Sequence, residues 1–241
     1  MTQKSQSEGG GERKVVVTGG AGFIGSHLVD ALIERGYAVH VIDNLSGGKR
    51  ERINPKAHFH NVDIRSIELI TPIIHGADAV FHLAALPRVQ YSIDEPIETN
   101  EVNASGTLNV LHASKEGGVR RVVYSASSSA YGDSGILPLH EGLPGRPVSP
   151  YGLQKYIGEE YARLYADIHG LPTVSLRYFN VYGPRMDPEG AYALVIGKFL
   201  KMRKEGKALT VTGDGEQTRD FTRRPTRDLH GARIGIVGLG G

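Results

Sequence analysis

The chain has 241 residues, with 28 Lys and Arg against 26 Asp and Glu and a net charge of +2. This length allows one sizeable core with an attached lobe, and the dispersed basic residues predict no nucleic-acid partner. The chain has no cysteine, which excludes disulfides and cysteine-ligated zinc, and we expect no metal site.

Residues 1–13 are polar and include three successive glycines. They lack the apolar stretch of a signal peptide and are predicted to form a disordered leader. No other segment is apolar enough to span a bilayer, so we expect no membrane partner and a cytoplasmic location.

The first predicted strand, Lys14–Thr18, is mostly apolar and β-branched and leads directly into a glycine turn. The turn has the spacing G-x-x-G-x-x-G, and an apolar helical pattern begins at Phe23. A glycine turn between a strand and a helix is typical of dinucleotide binding, because the backbone can approach a pyrophosphate and offer it free N–H groups. The residues assigned to this contact are Gly19, Gly22, Phe23, Ile24 and Gly25. The alternative is an ordinary strand–turn–helix unit whose glycines serve packing.

The second predicted strand, Ala38–Ile42, ends at Asp43. This carboxylate lies at about the distance from the glycine turn at which such folds bind the ribose hydroxyls of adenosine. A carboxylate would repel a 2′-phosphate, so the sequence favours NAD over NADP as the cofactor.

Apolar strand patterns alternate with helical ones as far as Tyr182. Further strands are predicted at 58–63, 79–84, 121–126 and 173–180. This alternation predicts an α/β fold over residues 14–182, a Rossmann-type doubly wound parallel sheet with helices on both faces.

The alternation ends after Tyr182, where prolines and a glycine predict a loop. A helix at 192–204 and a short strand at 208–211 are predicted beyond the loop. We assign residues 183–221 to a small substrate lobe. Residues 222–241 are basic at first and lack helical periodicity, so we expect a non-homologous tail there.

Three consecutive serines, Ser127, Ser128 and Ser129, follow the strand predicted at 121–126. They lie at the carboxyl edge of the predicted sheet, where open α/β sheets bind their ligands. This position favours a functional site over a solvated loop, which is the commoner role of consecutive serines.

Tyr151 and Lys155 stand four residues apart in a predicted helix that begins at Pro150. At this spacing the phenol and the ammonium share one helix face. A cation beside a phenol favours the phenolate and lowers its pKa, so the pair is suited to proton abstraction from an alcohol. The alternative is a solvated pair on a helix surface.

Together, these features resemble the extended short-chain dehydrogenase/reductase superfamily, and within it the nucleotide-sugar epimerases of the NAD-dependent epimerase/dehydratase family. The resemblance rests on collinear motifs at 17–25, 82–85, 103–107, 127–132, 151–155, 176–183 and 213–221. So many motifs in order are hard to produce by chance. Relatives continue beyond the last motif, so the C-terminal part of the substrate lobe is expected to be missing.

The resemblance implies roles for residues of these motifs. Tyr151 is the acid/base, Lys155 lowers its pKa and holds the nicotinamide ribose, and Ser127 orients the reacting hydroxyl. Further NAD contacts are implied for Asp43, Asn44, Asp63, Ile64, Leu83, Ala84, Ala85 and Tyr178. Substrate contacts are implied for Arg88, Ser128, Ser129, Asn180, Val195 and Arg219. Packing or turn formation is the alternative role for several of these residues.

The implied reaction is NAD-dependent epimerisation at C4 of a UDP-hexose through a 4-keto intermediate. Dehydratases and decarboxylases of the superfamily place acidic residues beside the catalytic hydroxyl, where this chain has Ser128 and Ser129. The alternatives are nonetheless a dehydratase, a decarboxylase, or an NAD-binding protein with little activity. The sequence leaves open whether the UDP-hexose is N-acetylated, uronic or plain. The resemblance also implies a homodimer through helices at 104–114 and 151–169.

Overall fold

The computed structural model of the chain describes residues 12–186, 195–209 and 221–223. Its strands are β1 Lys14–Thr18, β2 Ala38–Ile42, β3 His58–His60, β4 Ala79–His82, β5 Val122–Ser127, β6 Thr173–Tyr178, β7 Asn180–Tyr182 and β8 Phe221–Arg223. The first six form one parallel sheet in the order β3-β2-β1-β4-β5-β6, and β7 pairs in parallel with β8. The six-strand order is that of dinucleotide-binding folds, and it confirms the predicted Rossmann-type sheet.

Helices connect these strands within the described ranges. They are α1 Phe23–Glu34, α2 Ile67–Ile74, α3 Val89–Asp94, α4 Pro96–Asn100, α5 Gly106–Glu116, α6 Pro150–His169 and α7 Val195–Lys204. A π-helical turn, Glu101–Ser105, joins α4 to α5, and a 3₁₀ turn, Ser128–Tyr131, follows β5 directly. Among the described helices, none has the length and apolar character needed to cross a membrane.

The large sheet is covered on both faces, because successive strand residues point to opposite apolar layers. On one face Val15 and Val17 of β1 share a buried cluster with Val29 and Leu32 of α1. The cluster on the other face includes Val16, Ile70, Ile74, Val110, Leu111 and Ala162. With both faces covered, a ligand reaches this sheet at the ends of its strands.

Two strands end earlier than the sequence pattern predicts, and hydrogen bonds explain both ends. β3 ends at His60 because the chain then turns, with the Val62 N–H donating to the His60 carbonyl oxygen at 3.0 Å. After His82 the residue 83 N–H still donates to the Thr18 carbonyl oxygen at 3.1 Å, but β4 ends because the residue 84 N–H donates to Thr18 Oγ1 at 3.2 Å and not to a backbone carbonyl.

The other boundaries lie close to the predicted ones. The strand predicted at 121–126 is shifted by one residue, and the one predicted at 173–180 is divided between β6 and β7. The helix predicted at 192–204 is α7, and residues 192–194 lie outside the described chain. Of the strand predicted at 208–211, residues 208–209 are irregular and 210–211 lie outside the described chain. Residues 1–11 of the predicted leader and 224–241 of the predicted tail also lie outside it.

Candidate active site

The carboxyl ends of all six strands of the large sheet open onto one cleft of about 480 Å³. Of the residues that the sequence assigned to cofactor, catalysis or substrate, all those within 12–186 line the cleft. Val195 begins α7, and Arg219 lies outside the described residues. The parallel topology therefore gathers side chains that are far apart in the chain.

The glycine turn forms the middle of the cleft. Gly19 has a φ of +71°, and a Cβ at this position would lie 2.7 Å from the backbone nitrogen of Ala84. A Cβ on Gly25 would overlap the Gly19 carbonyl oxygen. No side chain caps α1, and Phe23 and Ile24 at its start line the cleft. Side chains at Gly19 and Gly25 would prevent the backbone of the turn from packing this closely. The uncapped start of α1 fits the pyrophosphate of a dinucleotide.

Asp43 anchors the glycine turn to the end of β2. Its carboxylate is 8% exposed and accepts the Ala21 N–H at 2.9 Å and the Leu45 N–H at 2.8 Å. Burial raises the pKa of Asp43, and the two backbone hydrogen bonds oppose that rise. The carboxylate thus has a structural part in the turn in addition to the ribose contact predicted for it.

Two further residues assigned to the adenosine end are bonded to each other. Asn44 Nδ2 donates to Asp63 Oδ2 at 2.8 Å. Arg65 holds the same carboxylate through Nε and Nη2, at 3.1 and 2.8 Å, and these hydrogen bonds lower the pKa of Asp63. The end of β3 therefore presents an ionised, fixed carboxylate. Across the described chain, no three His, Asp or Glu side chains are grouped to hold a metal ion.

A buried chain of hydrogen bonds holds the loop after β4, which forms the floor of the cleft. The Thr107 hydroxyl donates to the Asn103 carbonyl oxygen at 2.6 Å, so it accepts the Nε2–H of His82 at 2.9 Å. His82 Nδ1 then accepts from the Thr18 hydroxyl at 2.7 Å. Burial lowers the pKa of His82 to about 3, so this imidazole is a neutral link between β1, β4 and α5.

The same loop is tied to α6 through Asn103. The Asn103 amide accepts the Leu86 N–H at 2.7 Å and donates to the Leu86 carbonyl oxygen at 3.0 Å. Its Nδ2 also donates to Gln154 Oε1 at 2.9 Å, and Gln154 Nε2 donates to Thr99 Oγ1 at 3.0 Å. Asn103 therefore fixes the distance between the cleft floor and the helix that carries Tyr151.

The start of α6 is capped by two serines. Ser149 Oγ accepts the Gly152 N–H at 3.1 Å. Ser92 Oγ accepts the Tyr151 N–H at 3.0 Å and donates to the Val89 carbonyl oxygen at 2.6 Å. Together they satisfy two of the N–H groups that a helix start leaves free. Ser92 also connects Tyr151 to α3, whose first residue lines the cleft.

Tyr151 and Ser127 meet in the cleft through a side-chain hydrogen bond, and both side chains are nearly buried. Burial raises the pKa of Tyr151, and the hydrogen bond to Ser127 opposes the rise. The spacing of Tyr151 and Lys155 predicts that Lys155 lowers this pKa, whereas in the structure Ser127 opposes the rise. Lys155 is itself 3% exposed, and burial lowers its pKa to about 7.

Several residues of the site were not identified from the sequence. The loop Ser46-Gly47-Gly48 lines the cleft, and a Cβ on Gly48 would lie 2.8 Å from Asp43 Oδ1. Two consecutive glycines, four and five residues after the strand-end carboxylate Asp43, were the available signal. Ser92 and Gln154 had no such signal, because their roles depend on contacts between distant segments.

Comparisons with known proteins show the family of the chain. Residues 15–223 match the NAD dependent epimerase/dehydratase family. A putative UDP-glucose 4-epimerase of Methanocaldococcus jannaschii is 44% identical over 209 residues, which are 86% of this chain and 68% of that protein.

Two solved structures are similar over most of the chain. The UDP-N-acetylglucosamine 4-epimerase of Methanobrevibacter ruminantium, in complex with UDP-N-acetylmuramic acid, is 42% identical with a TM-score of 0.84 over 88% of this chain and 69% of that one. The UDP-glucose 4-epimerase of Thermus thermophilus, in complex with NAD, is 38% identical with a TM-score of 0.79 over 87% of this chain and 70% of that one.

Proposed function

The chain belongs to the NAD-dependent epimerase/dehydratase family, and from this premise we propose that it inverts C4 of a UDP-hexose. NAD, the cofactor of the family, supplies a hydride acceptor that can return the hydride to the substrate. The residues of this chain then supply binding, orientation and proton transfer. The uncapped start of α1 would hold the pyrophosphate, and Asp43 and Asn44 the adenosine ribose.

Proton transfer falls to Tyr151 and Ser127. The Tyr151 oxygen would remove the proton of the C4 hydroxyl, and Ser127, already hydrogen bonded to it, would orient that hydroxyl. Lys155 lies one helical turn further along α6 and would favour the phenolate when it is charged. Arg88, Ser128, Ser129 and Asn180 line the cleft and would contact the sugar and its diphosphate.

One observation carries the choice of reaction. The described carboxylates that line the cleft are Asp43 and Asp63, at the ends of β2 and β3. The strand order places β1 and β4 between β2 and β5, so these carboxylates lie roughly 14 Å or more across the sheet from Ser127. Elimination of water needs a second acid/base pair near the reacting carbon. Serines at this end favour oxidation and re-reduction alone, and hence epimerisation.

The test is to incubate the protein with NAD and, in turn, UDP-glucose, UDP-N-acetylglucosamine and UDP-glucuronic acid, and to follow the anomeric protons by NMR. We expect conversion of at least one sugar to its C4 epimer, and none with Tyr151→Phe, which should retain NAD. Loss of water or carbon dioxide would instead support a dehydratase or a decarboxylase. Retention of NAD without any turnover would support an NAD-binding protein.

We further propose that two copies of the chain associate through α6. This helix exposes apolar side chains along one line, with Leu153 at 48%, Leu164 at 37% and Ile168 at 68% exposure. Their spacing of 11 and 4 residues keeps them on one face. We expect a dimer in sedimentation at micromolar concentration and a monomer for the double variant Leu164→Glu, Ile168→Glu. A monomer of the unmodified chain would contradict the proposal.

A further inference from the structure

The ammonium group of Lys155 lies over the ring of a buried tyrosine that the mechanism does not use. Tyr124, in the middle of β5, is 1% exposed. Its ring centroid is 4.4 Å from Lys155 Nζ, well within the range at which a ring face attracts a cation. The ring face can therefore replace part of the hydration that burial removes from this ammonium.

The ring is held in this orientation from three sides. Tyr124 Oη donates to the Lys155 carbonyl oxygen at 3.2 Å, which ties the ring to the same residue whose side chain lies above it. The His82 ring stacks on it with centroids 5.5 Å apart. A Cβ on Gly158 would overlap Tyr124 Oη, so only glycine there lets α6 pack so closely. The ring cannot tilt away from Lys155 without moving α6.

Two titratable groups near Lys155 are neutral, and the carboxylate one helical turn further along α6 is paired with an arginine. From β4, His82 is neutral because burial lowers its pKa to about 3. From α6 itself, burial raises the pKa of Tyr151, so this phenol is also neutral, and Glu159 is held by Arg177. Desolvation by burial is what lowers the pKa of Lys155.

We propose that Tyr124 is a positioning residue that keeps Lys155 charged and aimed into the cleft through its ring face. A cation–π contact at a desolvated site is among the stronger of its kind. It acts against desolvation, so a larger share of Lys155 is charged at neutral pH than burial alone would leave. The consequence for catalysis rests on the proposed function, since Lys155 supports Tyr151 only when it is charged. The ring contact itself does not depend on that function.

The test uses two rings of nearly the same shape and opposite electrostatics. Tyr124 is replaced by Phe in one variant and by pentafluorophenylalanine in the other, and Lys155 Nζ is titrated by NMR in ¹⁵N-lysine-labelled protein. The Lys155 signal is identified by its loss in Lys155→Met. With Tyr124→Phe we expect an unchanged Lys155 pKa, and with the fluorinated ring a pKa lower by about one unit. Equal pKa values in the two variants would overturn the proposal.

Two controls keep this result interpretable. Thermal unfolding of both variants shows whether the fluorinated ring still packs, and because the two rings are nearly alike, a shift confined to Lys155 cannot come from lost packing. The pH dependence of epimerisation is then compared between the variants. A lowered Lys155 pKa with a matching shift of the alkaline limb of kcat to lower pH supports both proposals. A lowered pKa in a protein without epimerase activity leaves the ring contact established and removes the proposed function.

Discussion

Glu159 and Arg177 form a bidentate ion pair between α6 and β6, with N–O distances of 2.9 and 2.6 Å and both side chains only 7% exposed. The Arg177 guanidinium also lies 4.3 Å from the Tyr131 ring centroid. The pair therefore joins the helix of Tyr151 to the strand that ends at Tyr178. Glu159→Gln should lower the free energy of unfolding by ~3–5 kcal/mol, because it leaves a buried guanidinium without its counter-charge.

The neighbouring residue provides the matched control for this change. Glu160 pairs with Arg163 at the surface of the same helix, with side-chain exposures of 41% and 55%. Glu160→Gln should cost less than about 1 kcal/mol, since exposed pairs are weak. Urea denaturation of both variants measures the difference. Similar losses in the free energy of unfolding at the two positions would show that the buried pair stabilises the fold no more than the exposed pair.

The amide of Asn103 should be needed for both stability and cofactor binding. Asn103→Ala leaves the Leu86 N–H and carbonyl groups and Gln154 Oε1 without their partner. Each unpaired buried group costs about 1–3 kcal/mol. We expect a stability loss of that order or larger in urea denaturation and a weaker NAD affinity by calorimetry. Asn61→Ala, at an exposed position, is the control, and an equal effect there would contradict the prediction.

Ser92→Ala should lower kcat by more than the loss of a helix cap explains. Ser92→Ala and Ser149→Ala each remove a side-chain acceptor at the start of α6, and each should cost about 1 kcal/mol of stability. Only Ser92 bonds to the Tyr151 backbone and connects it to α3. We therefore expect Ser92→Ala to lower kcat several-fold, with Ser149→Ala close to the parent. Equal kcat values at equal stability would limit Ser92 to a capping role.

The sequence predicted the frame of the site well, because that frame depends on local patterns. The glycine turn, the strand-end carboxylate Asp43 and the four-residue spacing of Tyr151 and Lys155 can each be read within a few residues, and the parallel topology then placed them at one edge. The predicted family and the NAD cofactor are likewise confirmed.

What the sequence did not predict depends on burial and on contacts between distant segments. The expectation that Lys155 lowers the pKa of Tyr151 came from their spacing along the helix alone. In the structure, desolvation dominates both pKa values, and Ser127 rather than Lys155 opposes the rise at Tyr151. Desolvation is set by the packing of α6 on β5, which no local pattern of residues reveals.

A cluster of three histidines should make the fold sensitive to mild acid. His40 Nδ1 and His60 Nε2 are 3.0 Å apart, and His58 stacks on His40. Burial lowers the pKa of His40 from 6.5 to about 4, with Lys14 and the other two imidazoles adding to the effect. Between these values the unfolded chain binds more protons than the folded one, so stability falls as the pH drops from 6.5 towards 4.

Urea denaturation at about pH 7.5, 6.0 and 5.0 measures this dependence. His40→Gln should reduce the loss of stability between the first and last pH, because it removes the group with the lowered pKa. His140→Gln, at an exposed position, is the control. If His40→Gln left the slope unchanged, the acid sensitivity would have to come from other groups.

Asp43 should determine both the cofactor preference and the shape of the glycine turn. The unmodified protein should bind NAD more tightly than NADP, because the carboxylate accepts ribose hydroxyls and repels a 2′-phosphate. Asp43→Ala also removes the acceptor of the Ala21 and Leu45 N–H groups. The loss of charge-assisted hydrogen bonds worth ~1.5–3 kcal/mol predicts an NAD affinity about ten- to a hundredfold lower, together with a smaller preference over NADP. Calorimetry with both cofactors measures this, and equal affinities of the unmodified protein for NAD and NADP would contradict the role of Asp43.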